Sequence, residues 1–291
     1  MITVIICSVN PDYLAAVTQN IANTIGVPYE LITVDNLDSG RGICSVYNEA
    51  AAIAKYDFLC FLHEDVLFHT QQWGHIICKL LSDSTIALVG VSGAVYKSAL
   101  PGSWVDCDKK HYRANTWQHQ PATNIAERVQ LNPKQELFSE VALIDGVCMA
   151  TRKTVWQEHR FDDVLLKGFH GYDFDFSLSA GTAGKVVVTH EILLEHFSSG
   201  SFSYGWLKDT LLLHRKWQHA LPRTVAVPRV SDPYSDYVAA VSLLSHLLRH
   251  KGFKKSVIHY YRMLLLKYFH HNRFRFTKTV MKYLFFHQTI Q

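Results

Sequence analysis

The 291-residue chain has no Cys-x-x-Cys pair, no Gly-x-Gly-x-x-Gly, and no acidic residue after Asp236. Each absence excludes a class. Cys7, Cys44, Cys60, Cys78, Cys107 and Cys148 are scattered, and several lie in apolar runs. This spacing supports neither a thiolate zinc site nor a disulfide framework. Buried thiols in a reducing cytoplasm are the expectation. The turn after the first apolar run reads Ser8-Val9-Asn10-Pro11 and lacks the glycines that seat a dinucleotide pyrophosphate, which argues against a Rossmann dehydrogenase. Nor is there an apolar run of about 18 residues, the length needed to cross a bilayer. Ile2 to Ile6 opens the chain with no basic segment ahead of it, as expected of a first strand and not of a signal peptide.

The missing acids make the modest net charge of +4 misleading. Ten of the 29 basic residues follow Asp236, so the first 236 residues carry 19 basic against 25 acidic groups. A mildly acidic body is joined to a strongly basic tail.

With 48% hydrophobic and 19% charged residues, the chain is expected to be globular. Ile2–Val9, Glu30–Val34, Phe58–Leu62, Ile86–Val91, Val141–Ala150 and Val186–Val188 have the apolar, β-branched character of buried strands. Between them, Leu14 to Ile25, Ile43 to Ala54, Trp73 to Leu81 and the segment after Gly171 follow helical spacing, and Gly26 is placed to end the first helix. This alternation predicts an α/β fold with a mostly parallel sheet flanked by helices. Residues 94–135 lose periodicity and read as a long functional loop carrying Trp104, Tyr112 and Trp117. Tyr204 to His219 is again helical, Pro228, Asp232 and Pro233 read as a linker, and two further helices are expected beyond it.

The most informative stretch is Phe58–Leu62 followed by His63-Glu64-Asp65. Open α/β sheets bind ligands at the carboxyl ends of their strands, and hard cations take carboxylate oxygens, Mn2+-like ions also imidazole. Three acidic sites fall at the ends of successive core elements: Asp35, the Glu64/Asp65 pair, and Asp173/Asp175. One carboxylate can accept from a nucleotide and another can hold a cation against a diphosphate. A third, partly desolvated, suits a general base. His196, between a strand and a Gly/Ser-rich loop, can reach the ion; a structural histidine is the plainer reading of it. Simple cap or turn roles suffice for Asp38, Asp162 and Asp163.

Tyr47-Asn48, the Phe-Leu-His-Glu-Asp-Val run, Val89-Gly90-Val91-Ser92-Gly93, Gly168-Phe169-His170-Gly171-Tyr172-Asp173-Phe174-Asp175 and Lys216-Trp217 ahead of Leu221-Pro222 occur in one order. In that order the chain resembles the GT-A glycosyltransferases of family 2, and within them the streptomycin-biosynthesis-type branch. The resemblance covers roughly residues 1–222, an implied GT-A-like catalytic domain, and leaves residues 223–291 as a basic helical extension. It implies an inverting transfer from a nucleotide-sugar donor to a glycan or lipid-linked acceptor, with a divalent metal, Mn2+ or Mg2+. Asp173 is then the base; Asp35, Tyr47, Asn48, His63 and Glu64 face the nucleotide-sugar; Asp65, His63 and His196 hold the metal. His170, Tyr172, Asp175 and Trp104 fall on the acceptor side. Two departures stand out: His63 occupies the place of the first Asp of the Asp-x-Asp element, and Tyr47 stands where many members carry Arg. The competing readings are a sugar-nucleotide transferase or hydrolase on the same scaffold, and an inactive relative that binds a nucleotide-sugar or glycan.

In the tail, Leu243, Leu244, Leu247, Leu248, Tyr260, Leu264, Leu265 and Phe269 keep helical spacing among the basic residues. Helices of this composition can lie on an anionic membrane surface, so peripheral association with the inner face of the membrane is expected. A helical cap on the catalytic domain is the alternative; nucleic acid is not an expected partner, since a basic aromatic tail alone is a weak signature.

Overall fold

The computed structural model describes residues 1–120, 125–198, 200, 202–226, 230–268 and 276–286. Its frame is a seven-stranded sheet in the order β10-β13-β5-β12-β3-β1-β2. These strands are β1 (Ile2–Ser8), β2 (Tyr29–Asp35), β3 (Phe58–Leu62), β5 (Ile86–Gly90), β10 (Phe138–Glu140), β12 (Cys148–Arg152) and β13 (Lys185–Thr189). β1 runs parallel to β2 and β3, and β13 parallel to β5. β12 is antiparallel to both β3 and β5, and β10 antiparallel to β13. Five of the seven strands therefore point one way, and their carboxyl ends share one edge. Helices α1 (Pro11–Thr24), α2 (Ile43–Ile53), α3 (Trp73–Ser82), α4 (Lys153–Glu158) and α5 (Tyr172–Ala180) connect them. One core lies between the sheet and α2, α4 and α5, and contains Tyr47, Phe61, Trp156 and Phe176. The other holds Ile6, Val17, Leu62, Trp73 and Ile77, against α1 and α3. Two apolar faces are what the unbroken hydrophobic runs of the strands require.

A second sheet, β11-β6-β8-β14-β4 with β9 on β8, stands beside that edge. It comprises β4 (Val66–Phe68), β6 (Ser92–Ala94), β8 (Tyr112–His119), β9 (Ala126–Leu131), β11 (Leu143–Ile144) and β14 (Leu194–His196). Here the structure departs from three sequence expectations. Residues 94–135 are not one long loop: they hold β8 and β9 and, in β7 (Tyr96–Lys97), half of a small two-stranded pairing. β8 hides from pattern reading because three of its four buried positions, Arg113, Asn115 and Thr116, are polar. Asn115 donates to His190 O and Ile192 O, both at 2.8 Å, and so satisfies inside the fold what its polarity suggested belonged in water. Ser92-Gly93 does not break the chain but carries it into the second sheet. Val141–Ala150 is two strands, parted by Asp145-Gly146-Val147.

Beyond α6 (Tyr204–Trp217) the chain forms β15 (Arg223–Thr224), which pairs with β7 and so still belongs to the body. Asp232 and Pro233 start a helix instead of marking a linker: Asp232 accepts from Tyr234 N and Ser235 N, and Pro233 is the first residue of α7 (Pro233–Arg249). Pro228 lies outside the described residues, as do Phe269, Arg273 and Arg275 of the tail and Ser199 and Ser201 of the polar loop. Among the described residues three helices, not two, follow: α7, α8 (Lys254–Lys267) and α9 (Thr277–Phe286). They bury Leu243, Leu247, Val257 and Val280 against Trp206 and Leu207 of α6. Buried Asp236 of α7 accepts from Tyr96 Oη at 2.9 Å and Ser98 Oγ at 2.7 Å. Among the described residues no helix is long and apolar enough to cross a membrane.

Candidate active site

β3 ends at Leu62 and places His63 at the shared edge, where His63 N donates to Val147 O at 3.1 Å. Two residues on, Asp65 stands between two imidazoles: His63 Nδ1 is 3.7 Å from Asp65 Oδ1, and His196 Nε2 is 3.6 Å from Asp65 Oδ2. One donor atom from each of the three lies within 4.8 Å of the others. β14 supplies His196 because it pairs antiparallel with β4, setting His196 opposite Val66.

The donor set suits a divalent ion of intermediate softness, two imidazoles and one carboxylate, and the surroundings prepare it. Burial, then the neighbouring His63, lowers the pKa of His196, which favours the neutral ring a metal requires. His196 Nδ1 is 3.1 Å from Gln118 Oε1, and Gln118 Nε2 in turn donates to Ser198 O at 2.6 Å. With the amide turned that way, Nδ1 carries the proton and Nε2 presents its lone pair to the cluster. His63 Nε2 is hydrogen-bonded to Tyr172 Oη at 2.6 Å, leaving Nδ1 toward Asp65.

Asp173 sits in the first turn of α5, whose N-cap Gly171 is in the left-handed region at φ 78°. A side chain at Gly171 would also displace the Leu213 Cδ1 methyl, 2.3 Å away, in addition to the strain of the positive φ. At Gly146 a Cβ would fall 2.2 Å from Tyr172 Oη, so the absence of a side chain there is what lets Tyr172 reach His63. Burial, and next the charge of Asp145, push the Asp173 carboxyl up to about 7; backbone N–H groups of Phe174, Asp173 and Gly146 oppose the shift. A carboxylate titrating there is matched to proton abstraction near neutral pH. Asp145 is itself held in place: Trp104 Nε1 donates to Oδ2 at 2.7 Å and Val147 N to Oδ1 at 2.9 Å.

His63, Asp65, His196, Asp145, Tyr172 and Asp173 line one cavity of about 740 Å3, a size that takes a nucleotide-sugar. Trp104, His170, Tyr47 and Glu64 also reach its wall. The other predicted residues are placed differently. Asp35 is exposed at the end of β2, accepts from Leu37 N at 3.0 Å and is not part of the cavity lining. Asn48 is committed within the core: it donates to Phe161 O at 2.8 Å and accepts from Trp156 Nε1 at 3.1 Å. Asp175 is buried beneath Trp217 and Lys216, accepting from Nε1 at 2.6 Å and Nζ at 2.7 Å, so Lys216-Trp217 fastens α6 to α5. Glu64 turns its carboxylate to the β1–α1 turn, where it accepts from Ser8 Oγ at 2.5 Å and Asn10 N at 3.0 Å. Tyr47 packs edge-on to Tyr172 and against Phe61. His170 meets Ser203 Oγ at 3.3 Å, and burial lowers its pKa.

Sequence reasoning overlooked Asp145 and Gln118. The Asp-Gly dipeptide inside an apolar run was the available signal for the first; Gln118 carried none, because only the pairing of β8 with β14 brings it to His196.

Comparison with known proteins supplies the family. No curated protein sequence matches the chain. Among solved structures, a crystal structure of GalNAc-T7 with UDP, GalNAc and Mn2+ superposes with a TM-score of 0.51 at 13% identity, over 89% of this chain and 53% of that one. The chain thus spans about half the length of that protein, and the likeness is one of fold. S. aureus TarS 1–349 is more distant, with a TM-score of 0.47 at 10% identity, over 90% of this chain and 78% of that one. The sequence profile described as "Glycosyltransferase like family" matches residues 3–197, about two thirds of the chain, a span that holds His63, Asp65, Asp145, Asp173 and His196 but not α6. The chain therefore belongs to that glycosyltransferase-like family and carries the GT-A fold, with a helical extension at its C-terminal end.

Proposed function

We propose that the protein is an inverting glycosyltransferase, of the streptomycin-biosynthesis-type branch, that moves a sugar from a nucleotide-sugar donor to a glycan or lipid-linked acceptor. The observation that carries this reading is the meeting, in one cavity, of the His63/Asp65/His196 cluster with Asp173 and its raised pKa. Residues 1–222 would form the transfer domain, to which β15 is added by its pairing with β7, and the helices from α7 onward would form the extension. GalNAc-T7, the structural neighbour, was crystallised with a nucleotide, a sugar and Mn2+, which supports a donor and an ion of those kinds here.

A divalent ion held by His63, Asp65 and His196 would supply positive charge beside a departing diphosphate. The chain's own residues account for the rest. The acceptor hydroxyl oxygen bonds to the anomeric carbon as the bond from that carbon to the diphosphate oxygen breaks, and the hydroxyl proton passes to the Asp173 carboxylate. Asp145 raises the proton affinity of Asp173, and the indole N–H of Trp104 keeps Asp145 in position. Tyr172 joins the two halves, since it precedes the base and holds His63. A single displacement inverts the anomeric centre.

The extension is read as the membrane-facing part of a cytoplasmic protein. Lys255, Arg262, Lys278 and Lys282 are exposed beside exposed Ile258, Leu266, Met281, Phe285 and Phe286, which supports contact with anionic lipid. The transfer reading is tested by titrating nucleoside diphosphates and their sugars against the full chain, with and without Mn2+, and following products by mass spectrometry. Cation-dependent stabilisation by one nucleotide, with sugar found on an acceptor, is the expected result. Free sugar as the sole product would point to a hydrolase, and no binding of any nucleotide would end the reading.

A further inference from the structure

The cavity continues past Asp173 into a lobe between the loop of residues 100–105, the Phe169–Phe174 segment and α6. Leu100, Trp104, Phe169, Phe202, Trp206 and Leu213 line it. Few polar groups accompany them. Thr210 and His214 come from α6, and His170 is engaged with Ser203. His214 Nδ1 is buried without a hydrogen-bond partner, a mark of an apolar setting.

From this lining, and resting on the transferase reading above, we infer that the acceptor is an amphiphile: its hydroxyl meets Asp173 while an apolar group attached to it fills the α6 lobe. A free oligosaccharide would bring more hydroxyls into this lobe than His170, Thr210 and His214 can pair, and a buried unsatisfied polar group is costly. Trp104, Phe169 and Phe202 each present a ring face that a single sugar could stack on, but that contact uses only part of the lining. Leu100 and Leu213 offer a sugar nothing, whereas a hydrocarbon gains from every apolar surface it covers. The lobe is also braced by its own packing. Trp206 is clamped between Phe202 at 4.9 Å and His246 at 4.8 Å, and Leu213 closes on Gly171. Phe169 and Phe202, 47% and 43% exposed, form a mouth through which an apolar group can enter. Tyr204 continues this surface to Phe253 at the start of α8, with ring centroids 5.2 Å apart.

The test is a titration of the full chain, without nucleotide, with n-octyl glucoside below its micelle concentration, phenyl glucoside, and glucose, read by tryptophan fluorescence. Saturable binding of the octyl or the phenyl glycoside, with none of glucose, is expected; the two arms separate a chain-like from a ring-like apolar group. Phe169→Ser with Phe202→Ser, both at the open mouth, should weaken that binding about tenfold while the thermal unfolding profile stays intact. Glucose binding as well as its octyl glycoside, no glycoside binding, or an affinity untouched by the double substitution would overturn the inference. Because no nucleotide is present, a failure of the transferase reading would show in the nucleotide titration and not in this one.

Discussion

At the residue scale, two carboxylates of one cavity are set to different tasks by their surroundings. Asp65 lies between two imidazoles, while Asp173 is desolvated beside a second acid, Asp145. Transfer should therefore rise with pH to a plateau above about 7, and Asp173→Asn should abolish it. The same substitution has a stability signature of opposite sense. The folded carboxyl keeps its proton up to about 7, whereas an unfolded one loses it near pH 4. Between those values the native state binds more protons, so this group's contribution to stability is lost as pH rises through the window. Asp173→Asn should accordingly be more stable than the parent at pH 8, by on the order of 1–3 kcal/mol and with a higher melting temperature, and differ little at pH 4. A gap in melting temperature that does not change with pH would contradict the assignment. Gln118→Ala tests the other half of the site. Freed from its amide partner, His196 can turn its wrong nitrogen to the ion, and Mn2+ affinity should fall about ten- to a hundredfold by calorimetry.

At the scale of the element, α5 is placed by its glycine and held by α6. Its N-cap lies in the left-handed region and touches Leu213, while Asp175 in its first turn is tied to Lys216 and Trp217. Gly171→Ala meets both the backbone strain and the collision. It should cost about 1–3 kcal/mol in denaturant unfolding and lower the transfer rate, because the turn that moves carries Asp173. Full stability and rate in that variant would mean that α5 can shift without consequence. The basic helices are tested in the same way. With anionic lipid attracting each basic residue by about 1 kcal/mol at the surface, reversing Lys255, Arg262, Lys278 and Lys282 to Glu should abolish co-sedimentation with anionic vesicles and leave nucleotide binding alone. Equal pelleting of parent and variant would reject the membrane contact.

At the scale of the whole molecule, the extension is built into the body. Trp206 and Leu207 share a core with α7, α8 and α9, and Leu100 shares another with α7 and α8. Asp236 binds Tyr96 and Ser98 inside the protein. Deletion of residues 238–291 should thus lower solubility and melting temperature by exposing these faces, even though the deleted segment carries none of the proposed catalytic residues. Charge reversal on the outer face is for that reason the cleaner probe of lipid binding. α6 stands between the two parts, with Trp206 and Leu213 in the cavity wall and Leu207 in the core shared with the extension.

Short-range pattern sufficed for most of the frame, though not for β10 or for the separation of β12 from β11. The apolar runs of β1, β3, β5 and β13 and the helical spacing of α1 to α3 are local properties, set by which faces of a strand or helix must leave water, and they could be read residue by residue. The candidates His63, Asp65, Asp173 and His196 were legible too, because each follows directly on an apolar run or a glycine turn. What one dimension could not carry was the second sheet. β8 and β14 are strands whose polar groups find partners far along the chain, so their burial depends on neighbours that only folding supplies. That sheet determines which nitrogen of His196 faces Asp65, while the packing of Asn48 and Asp175 takes them out of the cavity their positions suggested. Order along the chain settled which chemical groups are present and where strands end; pairing across distant segments settled which of those groups meet.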